Sequence, residues 1–230
     1  MQVVLNFKKS EIPAVMAFLG EFEPLAADQY QLYRTKMGLC SVILFESGKL
    51  LVQGDNARAV SKRILEKAEL PDERVLGIDE TGRGEDFGPL VVAAVLGSNS
   101  KLREVRDSKK TSDITAKRKI VEQNAEQIVA LEYSAATIDE LRNTGTNLNR
   151  IEGKAIDLLV DFFRQSGFSG RVVVDGSALP VASNGIEFAP KADDSEPAVA
   201  AASIIARAVR EGSKDKETRK SWKKKEKRPE

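Results

Sequence analysis

Val3, Leu5 and Phe7 recur with a period of two, the spacing of a strand that buries one face. Ser10 and Glu11 open a helical stretch with Pro13 in its first turn and Val15, Phe18 and Leu19 on one side. Tyr30–Arg34 and Ser41–Phe45 read as strands, and the turn Ser47-Gly48-Lys49 leads into a third, Leu50-Leu51-Val52. Asp55 stands where it can cap a helix carrying Ala59, Val60, Ile64 and Leu65. Residues 1–70 are therefore predicted as a small α+β unit of order β-α-β-β-β-α. Leu70-Pro71-Asp72-Glu73-Arg74 is polar and broken by proline, the best linker in the chain.

The pattern then changes. Val75–Ile78 and Leu90–Leu96 are unbroken apolar runs, as in strands covered on both faces. Ser112 is placed to cap a helix over 113–126. Ile128–Leu131 predicts a strand, 148–165 an amphipathic helix, Val172–Val174 another buried strand, and Pro197 to Arg210 an alanine-rich helix. Strands alternating with helices predict an α/β domain on a mixed sheet over 75–210. Residues 211–230 hold nine Lys/Arg against five Asp/Glu, a net charge of +4 on a chain otherwise at −3. This tail reads as a frayed, solvated helical end, or as an arm that contacts phosphates.

Composition narrows the chemistry. The 230 residues contain no histidine and one cysteine, Cys40. That excludes a Ser-His-Asp triad, a Cys-His pair, a His- or Cys-ligated zinc and a disulfide framework, and it fits a reducing cytosol. No basic leader and no apolar run of membrane-spanning length is visible, so a cytoplasmic protein with no membrane partner is expected, working as a monomer. Any catalysis must run on carboxylates, lysine, tyrosine, hydroxyls or oxygen-bound metal ions.

Acidic residues stand at the strand ends: Asp79-Glu80 after Val75–Ile78, Asp175 after Val172–Val174, and Asp193-Asp194 before the alanine-rich helix. Taken singly, each is an ordinary turn or cap residue. Three such sites on one edge of an α/β sheet, where ligands gather, are another matter. Crowded carboxylates repel one another, and Mg2+ relieves that repulsion through oxygen ligands. Two such ions would clamp an in-line displacement at phosphorus. Thr81-Gly82-Arg83-Gly84 can turn the chain after its strand, or offer backbone groups and a guanidinium to a nucleic-acid backbone.

Gly77-Ile78-Asp79-Glu80-Thr81-Gly82-Arg83-Gly84, followed by Gly88-Pro89-Leu90, resembles the signature of the type 2 ribonucleases H. Asp107-Ser108-Lys109-Lys110, Val174-Asp175-Gly176 and Ala200–Arg207 resemble that family's second, third and fourth motifs, in family order. Residues 1–70, through Tyr33-Arg34-Thr35-Lys36, Ser47-Gly48-Lys49 and Gln53-Gly54, are similar to the TATA-binding-protein-like extension of ribonuclease HIII, and Glu85–Pro89 leans the same way. The resemblance implies an RNase H-like mixed sheet flanked by helices and a metal-binding catalytic set of Asp79, Glu80, Asp175 and Asp193, with Asp194 left open as the fourth. It implies two Mg2+ or Mn2+ ions and endonucleolytic cleavage of the RNA strand of an RNA/DNA hybrid. Substrate contacts are expected from Gly82, Arg83, Gly84 and Lys109, and from Tyr33, Arg34, Lys36 and Lys49 on residues 1–70. Two features depart from ribonuclease HIII or from its sister family. Arg83 between the glycines is a ribonuclease HII trait, yet the tyrosine with which ribonuclease HII senses an RNA–DNA junction has no counterpart after Ser203. Cleavage at single embedded ribonucleotides, or hybrid binding without cleavage, are the alternative readings.

Overall fold

The computed structural model describes residues 2–70, 72–107 and 113–222. The chain divides into two compact units, Met1–Glu73 and Arg74–Glu230.

The first unit runs β1 (Gln2–Asn6), α1 (Ile12–Leu19), β2 (Gln31–Met37), β3 (Cys40–Phe45), β4 (Lys49–Gln53) and α2 (Ala57–Lys67). Its strands form one antiparallel sheet of order β1-β4-β3-β2. Alternation decides which side is covered. Val3, Leu5, Val42, Leu44, Leu50 and Val52 turn inward against Val15, Phe18, Leu19 and Ile64 of the two helices. The other face carries a polar row, Gln2–Gln53–Ser41–Lys36, beside a mixed row, Val4–Leu51–Ile43–Arg34. The caps differ from expectation. Asn56, not Asp55, precedes α2 and makes no side-chain cap. At α1 the Glu11 carboxylate turns back to accept from the Lys8 N–H at 2.8 Å.

The second unit comprises β5 (Arg74–Thr81), β6 (Leu90–Ser98), α3 (Asn99–Asp107), α4 (Ile114–Asn124), β7 (Gln127–Tyr133), α5 (Ala135–Asn143), α6 (Leu148–Gln165), β8 (Arg171–Asp175), β9 (Ile186–Ala189) and α7 (Pro197–Gly212). The sheet order is β7-β6-β5-β8-β9, with β5, β8 and β9 parallel and β6 and β7 antiparallel to their neighbours. Both faces are covered. Leu76, Ile78, Val92, Ala94, Val172 and Val174 meet α6 through Ile151, Ala155, Ile156, Leu159 and Phe163. Val75, Val91, Ala93, Val95 and Val173 meet α7. This double burial explains why β6 is apolar throughout. Helix α7 lies so close to β5 that a Cβ on Gly77 would fall 2.1 Å from the Ala198 carbonyl carbon.

Several elements escaped sequence reading. Helix α3 is mostly polar, α5 is short, and β9 has four residues. Strand β5 extends to Thr81, so Asp79 and Glu80 lie inside the ladder, opposite Ala93 and Val92, rather than after it. The expected cap Ser112 lies outside the described residues, and Asp113 fills that role by accepting from the Thr115 N–H at 2.8 Å.

The tail also needs correction. Residues 213–222 are neither helical nor free. The Gly88 N–H donates to Glu217 and the Arg219 N–H to Asp86, each at 2.8 Å. The Arg219 side chain, with 1% of its surface exposed, donates to the carbonyls of Gly88 and Glu85. Asp139 accepts from the backbone of Lys220 and Ser221. The strap thereby satisfies the carbonyls of Glu85, Asp86 and Gly88 in the loop after β5.

Candidate active site

Successive residues of a strand point to opposite faces. Asp79 therefore shares the α7 face with Val75 and Gly77, and Glu80 shares the α6 face with Leu76 and Ile78. Each has its own support. Asp79 keeps only 7% of its surface exposed. Burial pushes its carboxyl up to about 7, and the charges of Glu80 and Asp175 add to that. A hydrogen bond from Ser203 on α7 and one from the Glu80 N–H, at 2.7 Å, work against the rise. The Gly77 contact is what brings Ser203 within reach, because any larger residue there would hold α7 away.

On the other face, burial raises the Glu80 carboxyl, the Arg83 guanidinium opposes the rise and Asp175 adds to it. Glu152 of α6, absent from the sequence-derived set, lies here too. Its side chain is 3% exposed, and its Oε2 stands 3.2 Å from Arg83 Nε without hydrogen-bond alignment. Burial and the charge of Glu80 push its carboxyl up to about 7 against the pull of Arg83. The one available signal in the sequence was an acid on the apolar side of the 148–165 helix, beside Ile151 and Ala155.

Asp175 ends β8, next to β5 in the sheet. Its Oδ1 accepts from the Ala192 N–H at 2.6 Å, which ties β8 to the short 3-10 helix Ala192–Asp194. Lys191 enters that turn in the left-handed conformation. Asp193 and Asp194 are thus carried to the Asp175 end of the sheet. Among the described residues no three acidic or cysteine side chains already stand in metal-ligating positions. The donor set nonetheless fits a hard divalent cation: all oxygen, partly desolvated, and held against mutual repulsion. Asp79, Glu80 and Asp175 would hold such an ion, with Asp193 or Asp194 beside them.

The candidate substrate contacts divide. Gly82 takes φ +86°, which suits glycine, and a Cβ added at Gly84 would meet open space. Arg83 is 39% exposed and donates to Asn149 Oδ1. Lys109 lies outside the described residues. In the first unit Arg34, Lys36 and Lys49 share the open sheet face. Tyr33 does not: it pairs with Leu44 on the covered side, and its hydroxyl donates to the Phe22 carbonyl at 2.8 Å.

A five-stranded mixed sheet with helices on both faces and acids at the ends of its central strands is the RNase H-like fold. The ribonuclease HII family profile matches residues 76–227, and the domain of unknown function DUF3378 matches residues 2–74. Ribonuclease HII of Methanosphaera stadtmanae is 32% identical over 163 residues, covering 62% of this chain and 74% of the relative. Ribonuclease HIII of Exiguobacterium sibiricum is 28% identical over 244 residues, covering 90% and 78%. Among solved structures, Aquifex aeolicus RNase H3 superposes with a TM-score of 0.53 at 26% identity, over 91% of this chain and 84% of that one. Bst-RNase HIII in complex with Mn2+ matches with a TM-score of 0.56 over 91% and 80%, and at 20% identity it supports the fold alone. The chain belongs to the ribonuclease HII family, the type 2 ribonucleases H, with the two-part sequence organisation of ribonuclease HIII. No helix among the described residues is long and apolar enough to cross a membrane.

Proposed function

We propose that this protein hydrolyses the RNA strand of RNA/DNA hybrids endonucleolytically, using two divalent ions, Mg2+ or Mn2+, bound by Asp79, Glu80, Asp175 and Asp193. The observation that carries this reading is the Asp79 carboxyl, buried at the end of a central strand and held near neutrality by its own burial and by the acids beside it. A group so placed is costly to the fold and is relieved by a cation. The ions would lower the pKa of a water and stabilise charge developing on the phosphate. The chain's residues supply the rest. Ser203 and the Glu80 N–H orient Asp79. The Ala192 N–H orients Asp175. The open surroundings of Gly84 let a ribose approach the backbone, where its 2′-OH distinguishes RNA from DNA. Arg83 meets a phosphate. The water oxygen bonds to phosphorus as the P–O3′ bond breaks; the water's proton leaves to solvent, and O3′ is protonated. The products are a 5′-phosphate and a 3′-hydroxyl.

The test is cleavage of an end-labelled hybrid with Mg2+, with Mn2+ and with chelator, beside Asp79→Asn and Asp175→Asn. Metal-dependent internal cuts in the RNA strand, lost in both variants, are expected. Activity retained in Asp79→Asn sinks the assignment, and hybrid binding without cleavage favours a non-catalytic binder.

Arg83 favours a second substrate, a single ribonucleotide embedded in DNA. Recognising that junction needs a group that reads the deoxyribose following the ribose as well as one that meets the 2′-OH. The two-part organisation shared with ribonuclease HIII favours continuous hybrids, which should be cleaved with the higher kcat/KM. Equal values would assign a junction activity, which Arg83→Thr should then remove selectively.

A further inference from the structure

We infer that Glu152, with Asn149 one turn before it on α6, is a positioning residue that holds the Arg83 guanidinium for the phosphodiester backbone of the hybrid, and so sets the grip on substrate beside Glu80. The inference rests on the ribonuclease H reading and names a part of that site which the motifs do not contain.

Arg83 sits between two glycines, one at positive φ and one in open space, so its own backbone does little to orient its side chain. An arginine left free there would pay rotamer entropy each time it met a phosphate. The orientation comes from α6. Glu152 Oε2 approaches Nε at 3.2 Å, and Asn149 Oδ1 accepts from Nη2. The Asn149 hydrogen bond fixes Nη2 and the Glu152 charge lies beside Nε, so both draw on the Nε–Nη2 edge of the planar guanidinium and leave its Nη1 side for a ligand. The pairing also explains an otherwise unfavourable choice. Position 152 lies among Ile151, Ala155 and Ile156, where an apolar side chain would pack at no desolvation cost. A carboxylate there is buried and stands close enough to Glu80 to repel it, and Arg83 is the cation that opposes both charges. Glu152 does not touch the reacting atoms in this arrangement. It acts through Arg83.

The test is a double-mutant cycle read as hybrid affinity, by fluorescence anisotropy of a labelled RNA/DNA duplex in divalent-free buffer. Glu152→Leu should weaken binding by about 10-fold, the loss of the buried ion pair that steers Arg83. Glu152→Gln, which keeps an acceptor oxygen, should recover part of that. Asn149→Ala, at an exposed position, should weaken binding a few-fold. In an Arg83→Ala background, neither Glu152→Leu nor Asn149→Ala should add more than about 2-fold, because contacts that act through one side chain are not additive. A merely structural role would lower the melting temperature and leave the losses additive, and that result overturns the inference. So do single variants whose affinity stays within about 2-fold of the parent. If Glu152→Leu fails to fold, Glu152→Gln and Asn149→Ala complete the cycle. A parent protein that binds hybrid with this non-additive cycle but never cleaves it overturns the ribonuclease reading and leaves the Glu152 role standing. One that cleaves, with additive variants, overturns only the Glu152 role.

Discussion

The two sheets of this protein use charged residues in opposite ways. In the four-stranded sheet only one face is packed, so Lys36 and Lys49 stand exposed to water on the open side, with Arg34 half-buried beside them and paired with Asp28. In the five-stranded sheet both faces are packed, so a charged residue in the interior of β5 is desolvated whichever face it joins, while Arg74 at the first position of the strand stays exposed. Asp79 and Glu80 lie past the last β5–β8 pair, Ile78 with Val174, and burial raises both carboxyls. The first arrangement suits broad contact with a polyanion, and the second suits concentrated metal chemistry. The difference lies in the number of covered faces rather than in the number of charges.

Replacing Asp79 by Asn should separate the two roles most sharply. We expect kcat on a continuous hybrid to fall by on the order of 10³-fold, while affinity for the hybrid changes by no more than a few-fold. Single-turnover cleavage and anisotropy measured on one preparation would show it, and equal losses in both would dissolve the distinction.

Next in size is a packing effect. Gly77→Val should push α7 off β5 and cost the second unit about 3 kcal/mol, a melting shift of roughly 6–12 °C, with activity lost because Ser203 moves from Asp79. Far-UV circular dichroism melts would detect it. A shift under about 2 °C would mean that α7 does not need the contact.

The raised carboxyls predict a pH effect of definite sign. Folded Asp79 sits at about 7, against about 3.9 for an unfolded aspartate. The folded state therefore holds this proton more tightly. The associated stability is fully present below about pH 4 and is lost as pH rises through 7. In metal-free buffer, Asp79→Asn should raise the melting temperature by about 5 °C at pH 8 and leave it unchanged at pH 4. Glu152→Gln should follow the same profile, since its carboxyl also sits at about 7. Adding Mg2+ should lift the parent protein at pH 8 more than at pH 5. A gain for Asp79→Asn that is equal at both pH values would disprove the burial argument.

The smallest expected effect belongs to the open sheet. Replacing Arg34, Lys36 and Lys49 together by Ala should weaken hybrid binding about 10-fold at moderate salt and flatten its salt dependence. The loss should appear in KM. An unchanged salt slope would remove this face from the substrate interface. Tyr33→Phe should instead act on stability, by about 1 kcal/mol, because its hydroxyl serves the Phe22 carbonyl.

Legibility followed local signal. The first unit's β-α-β-β-β-α order could be read because period-two alternation marks each half-buried strand. Helix α6 could be bounded at Leu148–Gln165 because its apolar residues keep helical spacing through five turns. Helix α3 could not, since only Leu102 and Val105 interrupt its polar run, and β9 is too short to show a period. Asp79, Glu80 and Asp175 stood out because an acid abutting an apolar run is visible in one dimension.

The order of residues alone thus determined the change of pattern near residue 70, the exclusion of histidine and disulfide chemistry, and the acids that abut the apolar runs. Only the tertiary structure decided that β5 runs on through Asp79 and Glu80, that Glu152 arrives beside Arg83, that Tyr33 faces inward, and that Arg219 is buried under the loop following β5. The reason is range. Periodicity and turn chemistry act over a few residues, and they are written in the chain where they act. Glu152 lies 69 positions after Arg83, and Arg219 lies 134 after Glu85. Which of two polar side chains is desolvated, and which partner it meets, depends on helices packing from both sides of a sheet, and no local pattern encodes that.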